Sequence, residues 1–88
     1  MSSIVEPAAA RLLKKLPPDI QRMFRLAFED PHHPALELKP LTARRRVRKN
    51  SWQIAPNYRW RAIGEKVGGD FHWYWVGSRE DARHMHGN

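Results

Sequence analysis

The side chains best able to do chemistry in this sequence are cations, and they are unevenly spread. Between Leu38 and Gly64 there is no acidic residue, yet Lys39, Arg44, Arg45, Arg46, Arg48, Lys49, Arg59 and Arg61 all fall there, eight of the sixteen Lys and Arg residues. An acid-free basic block raises a positive potential that attracts phosphates or an acidic protein segment. The same groups can stabilise the extra negative charge that builds on a phosphate under attack. Neighbouring cations disfavour a protonated amine, so Lys39, in an alternating segment just ahead of the arginines, is the candidate base. Arg59 and Arg61, two residues apart, are expected on one strand face, where they could grip consecutive phosphate oxygens. The run Arg44, Arg45, Arg46, Val47, Arg48 and Lys49 repels itself and reads as a mobile, RNA-binding loop away from the scissile bond. Trp60, between two arginines, is the candidate for stacking on a base, against the commoner role of a large aromatic as core. His84, one of two histidines near the C-terminus with His86, is the candidate general acid if a terminal helix docks over the sheet.

Other chemistries lack their residues. The 88-residue chain has no cysteine, which excludes a disulfide framework, a thiolate zinc site and a cysteine nucleophile. His32 and His33 adjoin in a turn, and a neighbouring pair seldom completes a metal site, so no metal is expected, and no cofactor motif appears. A phosphate-cradling glycine loop, a nucleophile elbow and paired carboxylates are all missing. No apolar run approaches the roughly 18 residues of a membrane span, and with a net charge of +7 the chain reads as a basic, cytoplasmic domain.

Those cations need a scaffold, and the pattern supplies one. Ala8 to Leu16 is rich in helix formers behind Pro7, and Leu16-Pro17-Pro18 breaks it. Pro18 opens a second helix in which Ile20, Met23, Phe24, Ala27 and Phe28 form an apolar stripe, ended by Glu29-Asp30-Pro31. Leu36 and Leu38 then alternate with Glu37 and Lys39, which suggests a strand. Ser51 to Ala55, Tyr58 to Glu65 and Phe71 to Val76 read as further strands, joined by turns at Pro56-Asn57 and Gly68-Gly69. In the last, Phe71, Trp73 and Trp75 should face one way and His72, Tyr74 and Val76 the other, as in a central strand. Ser78 could cap a short terminal helix through Arg83 or beyond. The expectation is one α+β domain over residues 1–88, frayed at 1–6 and 85–88: an N-terminal helical hairpin packed on a small, mostly antiparallel sheet of about four strands.

Four stretches carry a resemblance. They are Leu16-Pro17 before the amphipathic helix, His33-Pro34-Ala35-Leu36 before Lys39, Trp60-Arg61-Ala62-Ile63-Gly64, and Gly69-Asp70 followed by Trp73-Tyr74-Trp75-Val76-Gly77-Ser78. In order and spacing, over roughly residues 12 to 83, they resemble the RelE/ParE superfamily of toxins from toxin–antitoxin pairs, in its short RelE-like cytotoxin subgroup. The resemblance implies two helices followed by a small antiparallel sheet, sometimes with a strand before the helices. RelE-type members cut mRNA in the ribosomal A site, ParE-type members inhibit DNA gyrase, and a partner antitoxin wraps and silences both. In RelE-like toxins the active groups are basic residues on the sheet and its loops, often with a C-terminal tyrosine or histidine. This chain departs from the pattern at Ala55, where many relatives place arginine, and at Trp60 and Ala82, where tyrosine is usual. The expected function is therefore a metal-independent, ribosome-dependent mRNA endonuclease partnered by an acidic, partly disordered antitoxin. The alternatives are a gyrase inhibitor and a catalytically degenerate RNA- or antitoxin-binding domain.

Overall fold

The computed structural model describes residues 2–85. In chain order the elements are β1 (Ser3–Val5), α1 (Pro7–Lys14), α2 (Pro18–Glu29), a 3-10 turn (Pro34–Leu36), β2 (Lys39–Pro40), β3 (Ser51–Ile54), β4 (Trp60–Val67), β5 (Asp70–Ser78) and α3 (Arg79–Met85). The fold is α+β, with helices α1 and α2 on one face of a five-stranded sheet ordered β1-β5-β4-β3-β2. Neighbours run antiparallel except β1, which lies parallel to β5.

The helical hairpin forms where the prolines place it. Pro7 and Pro18 occupy first-turn positions, where a missing N–H costs nothing, and Asp19 complements the positive end of α2. Gln21 Nε2 donates to the Leu16 carbonyl at 2.8 Å, satisfying an acceptor left open where α1 stops. Phe24, Ala27 and Phe28 from the α2 stripe are buried, together with Leu13 of α1. Phe28 stacks on Trp73 and Trp73 on Phe71, each pair with centroids 5.1 Å apart. Each fully buried large apolar side chain of this kind contributes roughly 1.5–3 kcal/mol, so this aromatic layer dominates the stability of a small domain. Gly64 permits it: a Cβ there would lie 2.5 Å from Trp73 Cε3.

Four details differ from the sequence reading, each for a local reason. Residues 3–5, expected to fray, pair with Phe71–Trp73 and make β5 a central strand. The expected strand at Leu36–Lys39 does not form, because Leu36 closes a 3-10 turn in which His33 Nδ1 accepts the Ala35 N–H at 3.1 Å, and Glu37 after it sits at a left-handed φ of 52°. Pairing resumes only at Lys39–Pro40. Strand β4 begins at Trp60, not Tyr58, because Asn57 Oδ1 accepts from the Arg59 and Trp60 N–H groups at 2.8 and 3.0 Å and holds a bend. In β5, Trp73 pairs with Gly64 and Trp75 with Ile63, which leaves Tyr74 as a bulge. The extra residue exchanges the expected sides of Trp75 and Val76, so Val76 enters the helix-side core with Trp73. The capping role of Ser78 holds, its Oγ accepting from the Asp81 N–H at 3.0 Å.

Candidate nucleic-acid interface

The sheet face away from α1 and α2 carries the cations. Lys39 pairs with Gln53, Gln53 with Ile63, and Arg61 lies two residues before Ile63 on β4, so alternation puts Lys39 and Arg61 on this same face. Two strand spacings and one two-residue step separate their Cα atoms by roughly 12 Å, within the combined reach of two long side chains. Arg59 is in the bend rather than on the strand, so the expected pair on one strand face does not form.

Arg61 has a structural task as well. Its Nη1 donates to the carbonyls of Asn57, Tyr58 and Trp60 at 2.7, 3.2 and 2.8 Å, pinning the bend from beneath. Burial, then the nearby Arg79 guanidinium, lowers its pKa, but an arginine starts so high that it stays charged.

Arg79 is the functional candidate that sequence reasoning missed. Its backbone N–H donates to the Arg59 carbonyl at 2.7 Å, and its guanidinium lies 4.9 Å from the centre of the Tyr58 ring. Pairing of Trp60 with Ser78 brings the start of β4 to the end of β5, which is why residues twenty apart meet. The signal in the sequence was a cation directly after the last strand, opening α3. Together Tyr58, Arg59, Trp60, Ser78, Arg79 and Glu80 line a cleft of about 330 Å³. Tyr58 is 77 % exposed, with Arg79 over one face of its ring, whereas Trp60 is half-buried in a T-shaped contact with Phe24, centroids 6.3 Å apart. The core role therefore takes one side of Trp60 while another lines the cleft.

The arginine loop is not loose. Two backbone hydrogen bonds between Arg44 and Val47, at 2.9 and 3.2 Å, close a turn with Arg45 and Arg46 at its tip, and Val47 is buried. Arg48, expected to contact RNA, turns inward. It donates to both Glu6 carboxylate oxygens at 3.0 Å and to Glu65 at 3.2 Å, with its guanidinium 4.2 Å from the Tyr74 ring centre. The hydrogen bond to Arg48 holds Glu6 below the ordinary carboxylate range, and the bond to Glu6 raises Arg48. Lys49 stays exposed. Arg44, Arg45, Arg46, His84 and Met85 line a second cleft of about 460 Å³. His84 thus stands with the loop arginines and not with Arg59 and Arg79 at the other end of α3. His86 lies outside the described residues.

An apolar cleft of about 460 Å³ lies on the helical side, lined by residues that include Met23, Leu26, Ala27, Leu36 and Pro56, with Asp19, Arg22, Asp30 and His33. Its charges are mixed in sign, and it gathers none of the cations of the acid-free block. Among the described residues no group of three His, Cys, Asp or Glu side chains could hold a metal ion, and no helix is long and apolar enough to cross a membrane.

With these positions in hand, comparison with known structures defines the fold as that of RelE-like toxins from toxin–antitoxin systems. The toxin–antitoxin complex RelBE2 of Mycobacterium tuberculosis contains a chain similar at a TM-score of 0.69 and 19 % identity, covering 89 % of this chain and 90 % of that one. YafQ of Escherichia coli strain BL21(DE3) is similar at 0.64 and 12 %, over 92 % and 96 % of the two chains. The RelE–RelB complex of Pyrococcus horikoshii OT3 gives 0.61 and 11 %, over 89 % and 93 %. No family model and no curated protein sequence matches.

Proposed function

We propose that this chain is the toxin of a toxin–antitoxin pair and arrests translation by cutting ribosome-bound mRNA. The observation that carries the reading is the meeting of Arg59, Arg61 and Arg79 with the exposed ring of Tyr58 at one end of the basic face. A base stacked on Tyr58 would leave its phosphate among the guanidinium groups. The 2′-hydroxyl then attacks the adjacent phosphorus: the 2′-O–P bond forms, the P–O5′ bond breaks, and a cyclic phosphate and a 5′-hydroxyl result. The arginines stabilise the charge of the phosphorane. Lys39, roughly 12 Å from Arg61 across the same face, is the proposed base and in its neutral amine form takes the 2′-hydroxyl proton, while the leaving oxygen takes a proton from water. His84 serves the RNA backbone beside the loop rather than this step.

The partner is an acidic, partly disordered antitoxin, whose ordering on the basic face is offset by the large surface it covers. The M. tuberculosis and P. horikoshii structures are themselves toxin–antitoxin complexes, which supports a partner of this class.

A second reading has its own observation. Nη1 of Arg61 is spent on three carbonyls and Ala82 is buried where a reactive tyrosine is common in the resembling subgroup, which favours an RNA binder without cleavage. Translating ribosomes incubated with the protein, followed by mapping of message ends, separate the two. New ends within the coding region support the nuclease, and intact messages at inhibitory doses refute it. Loss of supercoiling in a purified gyrase reaction would redirect the target to DNA gyrase.

A further inference from the structure

We infer that Arg48 is a positioning residue that latches the Arg44–Val47 turn to the sheet, so that Arg44, Arg45 and Arg46 face His84 as one preorganised polyanion cleft. The inference rests on the reading of the basic face as an RNA-binding surface.

Self-repulsion should leave a run as dense in cations as Arg44 to Lys49 mobile. Here the run is divided in function. Its first three arginines are exposed, while Val47 is buried and Arg48 is held by Glu6, Glu65 and Tyr74. Glu6 holds it from the β1–α1 junction and Glu65 from β4. The Tyr74 hydroxyl of β5 accepts the Arg48 N–H at 3.2 Å, and that hydroxyl is itself hydrogen-bonded to Ser51 Oγ of β3 at 2.7 Å, in a buried site. The Arg48 side chain then lies across the Tyr74 ring. Asn50 completes the anchor, its carbonyl accepting the Lys66 N–H at 2.9 Å.

Two carboxylates on one guanidinium make the latch itself net negative, so it cannot be a phosphate contact. A phosphate would meet Glu6 and Glu65 there. What the latch does is fix where the neighbouring arginines stand. Presenting three cations in a set geometry removes the ordering cost that a loose basic loop would incur on binding.

The test turns on a sign. Glu6→Gln with Glu65→Gln adds two to the net charge without removing a cation, so electrostatics alone predicts tighter binding of a short single-stranded oligoribonucleotide. The latch predicts the reverse: affinity lower by about fivefold to tenfold, and a log–log salt slope shallower by about 0.7 for each phosphate that the loop no longer engages. Tyr74→Phe, which changes no charge, should act in the same direction. Hydrogen exchange of the residue 44–48 amides should quicken in both variants while that of β4 does not, showing that the fold persists. Arg48→Lys should restore little, because an ammonium cannot bridge both carboxylates and lie flat on the ring. Equal or tighter RNA binding by the Glu6/Glu65 variant, with an unchanged slope, would overturn the latch. If Arg44→Ala, Arg45→Ala and Arg46→Ala together leave RNA binding unchanged, the underlying reading of the loop falls instead.

Discussion

The two faces of the sheet obey different physics. Against α1 and α2 the surface is dry and interlocked: Trp73 lies between the rings of Phe28 and Phe71 and over the bare Cα of Gly64. On the other side, Arg48, Glu6 and Glu65 form ion pairs that remain 25–45 % exposed. Truncating a buried aromatic costs about 3–5 kcal/mol, whereas an exposed ion pair contributes about 0–1 kcal/mol. The helical face therefore carries the aromatic core, whereas the far face combines a buried patch of Ile63, Ser51, Val47 and Tyr74 with exposed cations. A side chain can matter greatly on one and hardly at all on the other.

The contrast is most open to attack at the extremes. Trp73→Ala should lower stability by about 3–5 kcal/mol in chemical denaturation, and a loss below about 1 kcal/mol would mean the aromatic layer is not the core. Gly64→Ala comes next. Its Cβ would press on the Trp73 ring, and overpacking of this kind costs about 1–3 kcal/mol, while Gly69→Ala, with no atom within 4 Å of its Cβ, should stay within about 0.5 kcal/mol. On the basic face the effects exchange places. Arg59→Ala with Arg79→Ala should cut message cleavage by about a hundredfold or more, yet shift the denaturation midpoint little, because the Arg59–Arg79 link runs through the backbone.

The smallest effect concerns acid. Glu6 has a folded pKa below its unfolded one, so its contribution is complete above the unfolded value, near pH 4.3, and is lost as pH falls through the lowered folded value. The pair is partly exposed, so the loss should be under about 1 kcal/mol. Denaturation of wild type and Glu6→Gln at stepped acidic pH would measure it; identical pH profiles would show that Arg48 does not hold Glu6.

How much of this was legible in the sequence depended on the range of the cause. Period and proline placement are local, so α1, α2, the Gly68 turn and the Ser78 cap could be read directly. The bulge at Tyr74 could not, since it arises from Gly64 making room for Trp73 on a neighbouring strand. Strand β1 was hidden because three residues carry no period, and its stability comes from pairing with β5. At the candidate site, the face shared by Lys39 and Arg61 needed the register of β2, β3 and β4, and the contributions of Arg79 and Arg48 came from contacts across long sequence separations. Arg79 joins the site through Trp60 opposite Ser78, and Arg48 leaves it because Glu6 and Glu65 meet there. Charge density in the sequence marks the segment expected to attract a polyanion, but not which of its arginines is already engaged.

Nucleic acid is proposed to bind the basic face and not the apolar cleft beside α2. Titrating isotope-labelled protein with a short single-stranded RNA and following backbone amide shifts tests it directly. Shifts are expected at Lys39, Arg44–Arg46, Tyr58–Arg61 and Ser78–Glu80, with α2 silent. Shifts centred on Met23, Leu26 and Leu36, with Arg59 and Arg79 unmoved, would contradict it.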